Sequence, residues 1–332
     1  MFRKLPVILL TFLLLFTSIK SAAQFVTIPD VHFVSWLNAN GFSGCMNGNQ
    51  MDTTCNAIVN ATSLNCYSAS ISNLSGISHF DHLDTLICQG NQLTSLPALP
   101  NTITYLDCQG NQLSSLPTLP PAIKSIFCAS NLLTTLPALP STLTLLLCQS
   151  NQINSLPTLP SSLSTLFCFT NQLTSLPALP STLTGLLCFS NQLTSLPALP
   201  ASLTSLYCNI NMLTSLPVLP VNLTNLYCNQ NLLPALPALP AGLTELLCSN
   251  NQITSMPALP SSITIFNCSG NQLTSLPPLP ALSSLICYNN QLTSLPALPF
   301  TITYLECFNN KLTALPSLPV SLTYLSCTNT LL

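Results

Sequence analysis

The sequence predicts a solenoid, a one-dimensional stack of short coils that share a single parallel sheet. Cysteine recurs every twenty residues from Cys88 to Cys327, with one step of nineteen residues between Cys268 and Cys287. The residues around each cysteine also repeat, and a typical copy reads Leu163-x-x-Leu166-x-Cys168-x-x-Asn171-Gln-Leu173-x-x-Leu176-Pro177-x-Leu179-Pro180. Periods of this length are typical of solenoids, in which each unit buries its apolar residues only against its neighbours.

The low charge of the chain excludes some classes of partner. Its 332 residues include five Lys and Arg and seven Asp and Glu, too few basic groups to neutralise a phosphate backbone. Although 48% of the residues are hydrophobic, the leucines are spaced periodically. After residue 24 no apolar run approaches the roughly 18–20 residues that cross a bilayer. We therefore expect neither nucleic acid as a partner nor a transmembrane segment in the mature chain.

The amino terminus has the features of an export signal. Arg3 and Lys4 precede an apolar run, and small residues at 21–23 offer a cleavage site. A membrane anchor is the alternative, but the run is short and the small residues follow it. We predict a signal peptide over residues 1–23, cleaved near Ala23, and therefore a secreted or cell-surface protein.

Residues 24–65 do not follow the repeat and are predicted to form an amino-terminal cap. Asp30 suits the N-cap of a short amphipathic helix over residues 31–40. The apolar side of this helix consists of Phe33, Trp36 and Leu37. Such a helix covers the apolar end of the first coil, which an open solenoid requires.

Two cysteines, Cys45 and Cys55, lie in the predicted cap and outside the repeat. In an exported protein this spacing favours a disulfide that closes the intervening loop. Metal binding by the pair is the alternative, but no nearby histidine completes a four-ligand set. We predict the disulfide, and we predict no metal and no cofactor.

Each coil of the solenoid domain, residues 66–332, is predicted to contain one short strand. Leu-x-Cys alternation turns leucine and cysteine inward, and thirteen such strands in register form a parallel sheet. The asparagine three residues after cysteine marks the turn out of the strand, where a buried amide satisfies backbone groups. At Leu332 the chain stops partway through a unit, so we expect about thirteen regular coils without a carboxyl-terminal cap.

The Leu-Pro-x-Leu-Pro stretch predicts the back of each coil. Proline fixes φ and lacks an N–H, so this stretch cannot form a helix or a central strand. In polyproline II geometry, with three residues per turn, Leu116 and Leu119 point the same way, into the core. Twenty residues are also too few for a strand, two turns and a helix. The convex side is therefore expected to be extended and polyproline-like.

The ladder of cysteines inside the solenoid has three interpretations. Disulfides between neighbouring coils require a geometry that parallel in-register strands do not provide, because the side chains point the same way. Binding of a soft metal requires thiolates in an apolar interior. Free buried cysteines that pack as small hydrophobic side chains are the interpretation we favour.

The repeat unit Leu-Pro-Ala-Leu-Pro-x-x-Leu-x-x-Leu-x-Cys-x-x-Asn-Gln-Leu-Thr-Ser, which covers residues 88–332, resembles bacterial leucine-rich repeats of the short LPxLP type. This resemblance implies a leucine-rich-repeat solenoid, α/β by convention but mostly β, with a parallel concave sheet and a small helical amino-terminal cap. The amino-terminal stretch Ile28-Pro29-Asp30-x-x-Phe33, followed by the two cap cysteines, resembles exported surface repeat proteins of gliding bacteria that use type IX secretion.

The repeats differ from one another mainly beside the cysteine. Those flanking side chains are predicted to point out onto the concave face, where the middle coils form an apolar and aromatic stripe. The predicted ligand-binding residues are Phe127, Leu147, Phe167, Phe169, Leu187, Phe189, Tyr207, Tyr227 and Leu247. Exposed contiguous apolar surface usually marks an interaction site. The alternative is that the aromatic rings stack along the sheet and only stabilise it.

The distribution of charge argues against an enzyme. After Cys88 the chain has no histidine, and its only charged residues are Asp107, Lys124, Glu245, Glu306 and Lys311. Acid–base chemistry requires titratable groups that converge on one site. The sequence predicts a non-enzymatic secreted or cell-surface protein that binds protein or glycan in adhesion. The alternative is a structural spacer of a surface layer or matrix, and a host-directed effector is the least favoured.

Overall fold

The solenoid axis organises the whole molecule. The computed structural model describes residues 24–328, so the predicted signal peptide lies outside the described residues. Fourteen parallel strands are hydrogen-bonded in chain order into one sheet. These strands are β4 (Ser63–Asn65), β5 (Thr85–Ile87), β6 (Tyr105–Asp107), β7 (Ser125–Phe127), β8 (Leu145–Leu147), β9 (Thr165–Phe167), β10 (Gly185–Leu187), β11 (Ser205–Tyr207), β12 (Asn225–Tyr227), β13 (Glu245–Leu247), β14 (Ile265–Asn267), β15 (Ser284–Ile286), β16 (Tyr304–Glu306) and β17 (Tyr324–Ser326).

The thirteen strands predicted from the repeat are all present, and one more precedes them. β4 belongs to the longer transitional coil and pairs in parallel with β5, Leu64 opposite Leu86. With the exception of the nineteen-residue step, the strands from β5 onward pair residues that are twenty positions apart, such as Leu186 and Leu206. Because every coil contributes the same three-residue strand, the repeat itself sets the register of the sheet.

The nineteen-residue step leaves this register intact. Ile265 pairs with Ser284, so the sheet continues through the shortened coil. The missing residue is absorbed by the turn before the strand. There Leu282 N donates to Pro280 O at 2.7 Å, so the turn closes over two residues. In the preceding coil the donor to Pro260 O is Ile263 N, so the turn closes over three residues.

Leucine and cysteine fill the interior as predicted. Leu166 and Cys168 have no exposed surface, and the same two positions are fully buried in almost every coil. On the opposite side Leu116 and Leu119 are also buried, while the chain around them is extended and contains no helix between residues 88 and 328. The predicted polyproline-like back is confirmed.

The asparagine after each strand ties neighbouring coils together. Asn171 Nδ2 donates to the carbonyl oxygens of Cys148 and Cys168, both at 3.1 Å, and Asn171 Oδ1 accepts from Ile153 N at 3.0 Å. One amide thus satisfies backbone groups of two coils, as predicted. Just before it, the residue two positions after each repeat cysteine from Cys88 to Cys307 has a positive φ, such as +53° at Thr170 and +63° at Gly270.

The amino-terminal cap combines a small antiparallel sheet with a short helix. Strand β3 (Gln50–Asp52) lies between β1 (Phe25–Thr27) and β2 (Met46–Asn47). Helix α1 (Val31–Leu37) begins at Asp30, whose Oδ1 accepts from His32 N at 2.8 Å and Phe33 N at 2.9 Å. A second helix, α2 (Asn56–Val59), follows Cys55.

Helix α1 ends three residues earlier than the sequence predicts. After Leu37 the backbone widens into a π-type turn over Asn38–Phe42, and Gly41 at φ +93° breaks it. The predicted apolar side is confirmed, since Phe33 and Leu37 are fully buried and Trp36 packs against the core. Phe42, just past the turn, meets Phe80 of the first coil edge-on, with ring centroids 5.6 Å apart.

The cap also contains the predicted disulfide. Cys45 and Cys55 are bonded, and their Cα atoms lie 5.6 Å apart. A second link joins the cap to the solenoid, because Asp30 Oδ2 accepts from Ser72 N at 2.7 Å, Ser72 Oγ at 2.6 Å and Asn73 N at 3.0 Å. The carboxylate that begins helix α1 therefore also holds the first coil.

Candidate functional site: the outer face of the parallel sheet

The outer face of the fourteen-stranded sheet is the surface on which the repeats differ. In a typical strand the first and third residues are half-buried and the second is fully buried. Three rows of side chains therefore face outward. Row 1 lies three residues before each cysteine, row 2 one residue before it and row 3 one residue after it. We call this surface the sheet face.

The structure places all nine predicted residues on the sheet face, and all nine are half-buried. Seven of them form row 2 without a break, because each is the register partner of the next from β7 to β13. These are Phe127, Leu147, Phe167, Leu187, Tyr207, Tyr227 and Leu247. Phe169 and Phe189 lie beside them in row 3. With strands about 4.8 Å apart, the apolar line is about 29 Å long.

The aromatic rings form separate clusters along this line. Phe169 stacks on Phe189 with centroids 4.3 Å apart and planes 9° from parallel, and Phe167 lies 6.4 Å from Phe169. Tyr207 and Tyr227 form a second stacked pair at 4.2 Å and 5°. Phe127 is not part of either cluster.

This stacking fixes what a ligand would meet. The centroid separations are close to the spacing of the strands, so the rings stand upright on the sheet with their planes facing along it. Their edges and the tyrosine hydroxyl groups are therefore turned outward. Aromatic pairs of this kind contribute about 0.5–1.5 kcal/mol beyond burial of their area. The rings are therefore stacked, as the stabilising interpretation requires. They are also partly exposed, as binding of a ligand requires.

Row 1 holds site residues that the sequence reasoning missed. Tyr105 contacts Phe127 with centroids 5.1 Å apart, and Tyr304 stacks on Tyr324 at 4.5 Å. Tyr227 Oη donates to Glu245 Oε2 at 2.5 Å. The period of two within a strand was the signal that could have identified row 1, since residues three and one before cysteine face the same side.

The sheet face carries negative charge only. Between residues 85 and 328 its three rows contain Asp107, Glu245 and Glu306 and no basic side chain. Asp107 is buried and accepts from Gln109 N and Gln109 Nε2, both at 3.2 Å. The other two carboxylates are half-buried, and each accepts a tyrosine hydroxyl.

The tyrosines that donate to these carboxylates are held in the protonated form. Burial, together with the hydrogen bond to Glu245, raises the pKa of Tyr227 above its usual range. The hydrogen bond to Glu306 raises the pKa of Tyr304 to about 12. Both hydroxyl groups therefore act as donors at neutral pH. They are suited to binding polar groups and not to acid–base chemistry.

The carboxylates do not converge on one point. Asp107 in β6 and Glu245 in β13 are seven strands apart, about 34 Å along the sheet. Within the described range, no three His, Cys, Asp or Glu side chains lie so that they could hold a metal ion. The arrangement presents a long surface for contact instead of a compact reaction centre.

The cysteine ladder lies behind the sheet face. Thirteen free cysteines, from Cys66 to Cys307, are buried. Burial raises the pKa of Cys148, Cys208 and Cys248 to about 12, so these thiols are protonated at neutral pH. A protonated buried thiol packs as a small apolar group, which agrees with the favoured interpretation.

Parallel three-residue strands, an asparagine ladder and an extended proline-containing back define a leucine-rich-repeat solenoid. The chain is 34% identical to YopM, a leucine-rich effector protein from Yersinia pestis, over 81% of this chain and 84% of that one, with a TM-score of 0.71. It is 37% identical to YopM from Yersinia enterocolitica WA-314, with a TM-score of 0.75, covering 82% of this chain and 58% of that one. The chain therefore belongs to the bacterial leucine-rich-repeat proteins.

A third solved structure shares a further feature. The functional domain of InlJ from Listeria monocytogenes, which includes a cysteine ladder, is 26% identical, covering 93% of this chain and 77% of that one, with a TM-score of 0.74. No protein-family model and no curated protein sequence matches the chain. Leucine-rich-repeat folds typically act as protein-interaction scaffolds. Among residues 24–328, none of the helices reaches the length and hydrophobicity of a membrane span.

Proposed function

We propose that this protein is a non-enzymatic binding protein that recognises another protein through the sheet face. The observation that carries the proposal is the unbroken apolar row 2 from Phe127 to Leu247, which is half-buried and widened by Phe169 and Phe189 in row 3. An exposed apolar surface of this extent is uncommon unless it is covered in use. Its aromatic content is typical of interfaces.

The orientation of the rings favours a protein over a glycan. A sugar commonly packs flat against an aromatic ring, but here the faces of Phe169 and Phe189 are turned toward each other. Outward ring edges and hydroxyl groups suit the side chains and backbone of a protein segment. Glycan recognition is the competing outcome of the test below.

The site of action is proposed to be outside the bacterial cell. The disulfide between Cys45 and Cys55 supports this, because disulfides persist in oxidising compartments. The predicted cleavage near Ala23 is part of the same proposal, and so are adhesion as the biological role and export by the type IX route. Mass spectrometry of the amino terminus of the exported protein tests the cleavage. A chain starting at residue 24 supports it, and an intact Met1 contradicts it.

A host-directed effector is the second candidate, and a specific observation favours it. The identity of 34% to the leucine-rich effector protein from Yersinia pestis extends over most of both chains. An effector exported without cleavage would retain Met1, so the same measurement distinguishes it from a protein with a cleaved signal peptide.

The binding test compares two double variants of the exported chain. Phe167→Ser with Tyr207→Ser alters row 2, whereas Val218→Ser with Val221→Ser removes exposed apolar side chains from the back, where Val218 and Val221 are 85% and 71% exposed. Immobilised protein is titrated with fractionated surface proteins and, separately, with a glycan array. We expect saturable binding of a protein that the first pair abolishes and the second pair preserves.

Three results would contradict the proposal. The first is equal loss of binding in both double variants, and the second is binding only on the glycan array. The third is unchanged binding in the Phe167→Ser, Tyr207→Ser variant while its stability falls, which is what a purely stabilising stack predicts. A spacer protein would give no saturable binding and would self-associate, which light scattering across concentration detects.

A further inference from the structure

The coil at residues 208–227 departs from its neighbours along the edge of the sheet. Four residues after cysteine, eight coils carry glutamine, but Leu132, Met212 and Leu232 occupy this position in three others. These three side chains are 48%, 43% and 45% exposed. Met212 and Leu232 belong to adjacent coils, so their backbones lie about 5 Å apart. Two exposed apolar side chains therefore lie together where the repeat normally presents amides.

Ile210 extends this apolar edge at a cost to the fold. It occupies the position of positive φ, at +54°, where other coils carry residues such as Gly110, Ser190 and Asn250 and where Thr170 is also β-branched, but polar. The left-handed region is unfavourable for a β-branched residue, because its Cβ lies too close to the following carbonyl oxygen. Ile210 is nevertheless 42% exposed, so burial in the folded chain does not compensate for that strain. Strain of this kind is characteristic of functional sites. We call Ile210, Met212 and Leu232 the edge patch.

The edge patch borders the Tyr207–Tyr227 pair and the charge beside it. Ile210 follows Tyr207 by three residues in the same coil. Beyond the tyrosines, Glu245 Oε2 accepts from Tyr227 Oη, and no lysine or arginine of residues 24–328 forms an ion pair with this carboxylate. A negative charge, two aromatic rings and an apolar edge thus follow one another across the sheet, and residues 24–328 form no salt bridge with this charge.

We propose that this region binds a protein segment that carries a lysine or arginine flanked by apolar side chains, with the cation at Glu245 and the apolar side chains on the edge patch. This inference rests on the proposed function and specifies its partner. Charge complementarity carries the choice of cation, because the sheet face contains carboxylates and no basic side chain. Glu245 and Ile210 are two strands apart and separated by the width of the sheet, on the order of 15–20 Å.

That separation sets the length of the bound segment. An extended chain rises about 3.3 Å per residue, so about six residues span from Glu245 to the edge patch. A segment with the opposite charge would place its carboxylate against Glu245 and be disfavoured.

Three fluorescently labelled peptides of about eight residues are the probes. All three peptides have leucine and valine at the same positions. They differ at two other positions, where the first peptide has lysine, the second glutamine and the third glutamate. Fluorescence anisotropy with the exported chain measures their affinities. We expect the lysine peptide to bind about tenfold more tightly than the glutamine peptide, to lose this advantage at high salt, and the glutamate peptide to bind most weakly.

Matched variants distinguish the site from unspecific attraction. Glu245→Gln is expected to remove the preference for the lysine peptide, so that the lysine and glutamine peptides bind with equal affinity. Leu232→Gln introduces the residue that most coils have at this position. It is expected to weaken the binding of all three peptides about fivefold. Leu132→Gln is the same change at the same repeat position five coils away, and it is expected to change nothing.

The outcomes separate this inference from the proposed function. Equal affinities for the lysine and glutamine peptides, or equal effects of Leu232→Gln and Leu132→Gln, overturn the inference. If the Phe167→Ser, Tyr207→Ser variant still loses its protein partner in that case, the proposed function stands. If that variant also keeps its partner, both are wrong.

Discussion

Tyr207 lies flat against Tyr227, with ring centroids 4.2 Å apart and planes 5° from parallel. The two residues occupy the same position in adjacent coils, so the repeat itself brings the rings into contact. In this pair, stabilisation of the fold and the proposed recognition of a partner depend on the same two side chains. Measurements that separate the two effects are therefore the most informative.

The stacking energy of this pair can be isolated. In a double-mutant cycle, Tyr207→Leu and Tyr227→Leu keep the apolar character of the row and remove the ring contact. We expect a coupling free energy of about 0.5–1.5 kcal/mol in chemical denaturation, as aromatic pairs usually show. Additive single effects would show that the contact does not stabilise the chain. Local unfolding of a few coils must be checked with a second probe, because long repeat arrays depart from two-state behaviour.

The asparagine ladder is expected to be far more sensitive to substitution than the surface beside it. Asn171→Ala removes an amide that bonds to Cys148 O, Cys168 O and Ile153 N, so buried backbone groups lose their partners. We expect the free energy of unfolding to fall by about 2–4 kcal/mol. Gln172→Ala, at the next and exposed position, serves as the control and is expected to change it by less than about 0.5 kcal/mol.

Ile210→Asn is expected to stabilise the protein. The substitution removes a β-branched residue from a position with φ +54°. It introduces asparagine, the residue type that another coil already has at this position, as Asn250. The expected gain is about 1 kcal/mol in the free energy of unfolding. Ile210→Val keeps the β-branch and should give no gain. If both variants behave alike, the backbone conformation at this position is not the cause of strain.

The lowered pKa of Asp30 leads us to expect that the amino-terminal cap loses stability in acid. Burial alone would raise its pKa, but the hydrogen bonds from Ser72, Phe33 and His32 outweigh burial and hold the pKa below the ordinary 3.8. Because the folded-state pKa is the lower one, the stabilisation is fully present above pH 3.8 and is lost as the pH falls through the lowered pKa. Hydrogen exchange of residues 31–37 between pH 5 and pH 2 measures this.

The control for Asp30 is the neutral variant. Asp30→Asn lacks the ionisable group, so its cap should be less protected at pH 5 and should change less with pH. Equal pH dependence in the two proteins would assign the acid sensitivity to another group.

The thiols of the cysteine ladder are expected to be unreactive toward alkylation in the native protein. Iodoacetamide at pH 8 should leave the thirteen buried thiols unmodified, and full denaturation should expose all of them to alkylation in mass spectrometry. Thiols that remain unreactive after denaturation without a reductant would be oxidised, which would contradict the packing role.

Much of the scaffold could be predicted because each coil repeats one physical solution. Leu-x-Cys alternation, the asparagine turn and the proline-containing back recur with little change, and all three are confirmed. The fourteenth strand, β4, lies before a step of twenty-two residues, from Cys66 to Cys88, and was recognisable because Leu64-x-Cys66 keeps the strand spacing outside the strict period. The early end of helix α1 at Leu37 depends on a π-type turn, which apolar spacing does not reveal.

The site was predictable only in part, for reasons of geometry. Rows 2 and 3 follow from their adjacency to cysteine, but Glu245 becomes a site residue only because Tyr227 reaches across the strand to it. The strain at Ile210 was also hidden, because φ at that position is set by the turn and not by its own side chain. The binding role of the nine predicted residues remains a prediction.

The central claim is that a protein partner contacts the sheet face. A photo-crosslinking amino acid, p-benzoylphenylalanine, placed at Tyr207 tests it most directly, with Val218 on the back of the next coil as the matched position. On irradiation of the exported chain with the protein identified in the binding test, we predict a crosslinked product from position 207 and none from position 218. A product from position 218 with none from position 207 would contradict the claim.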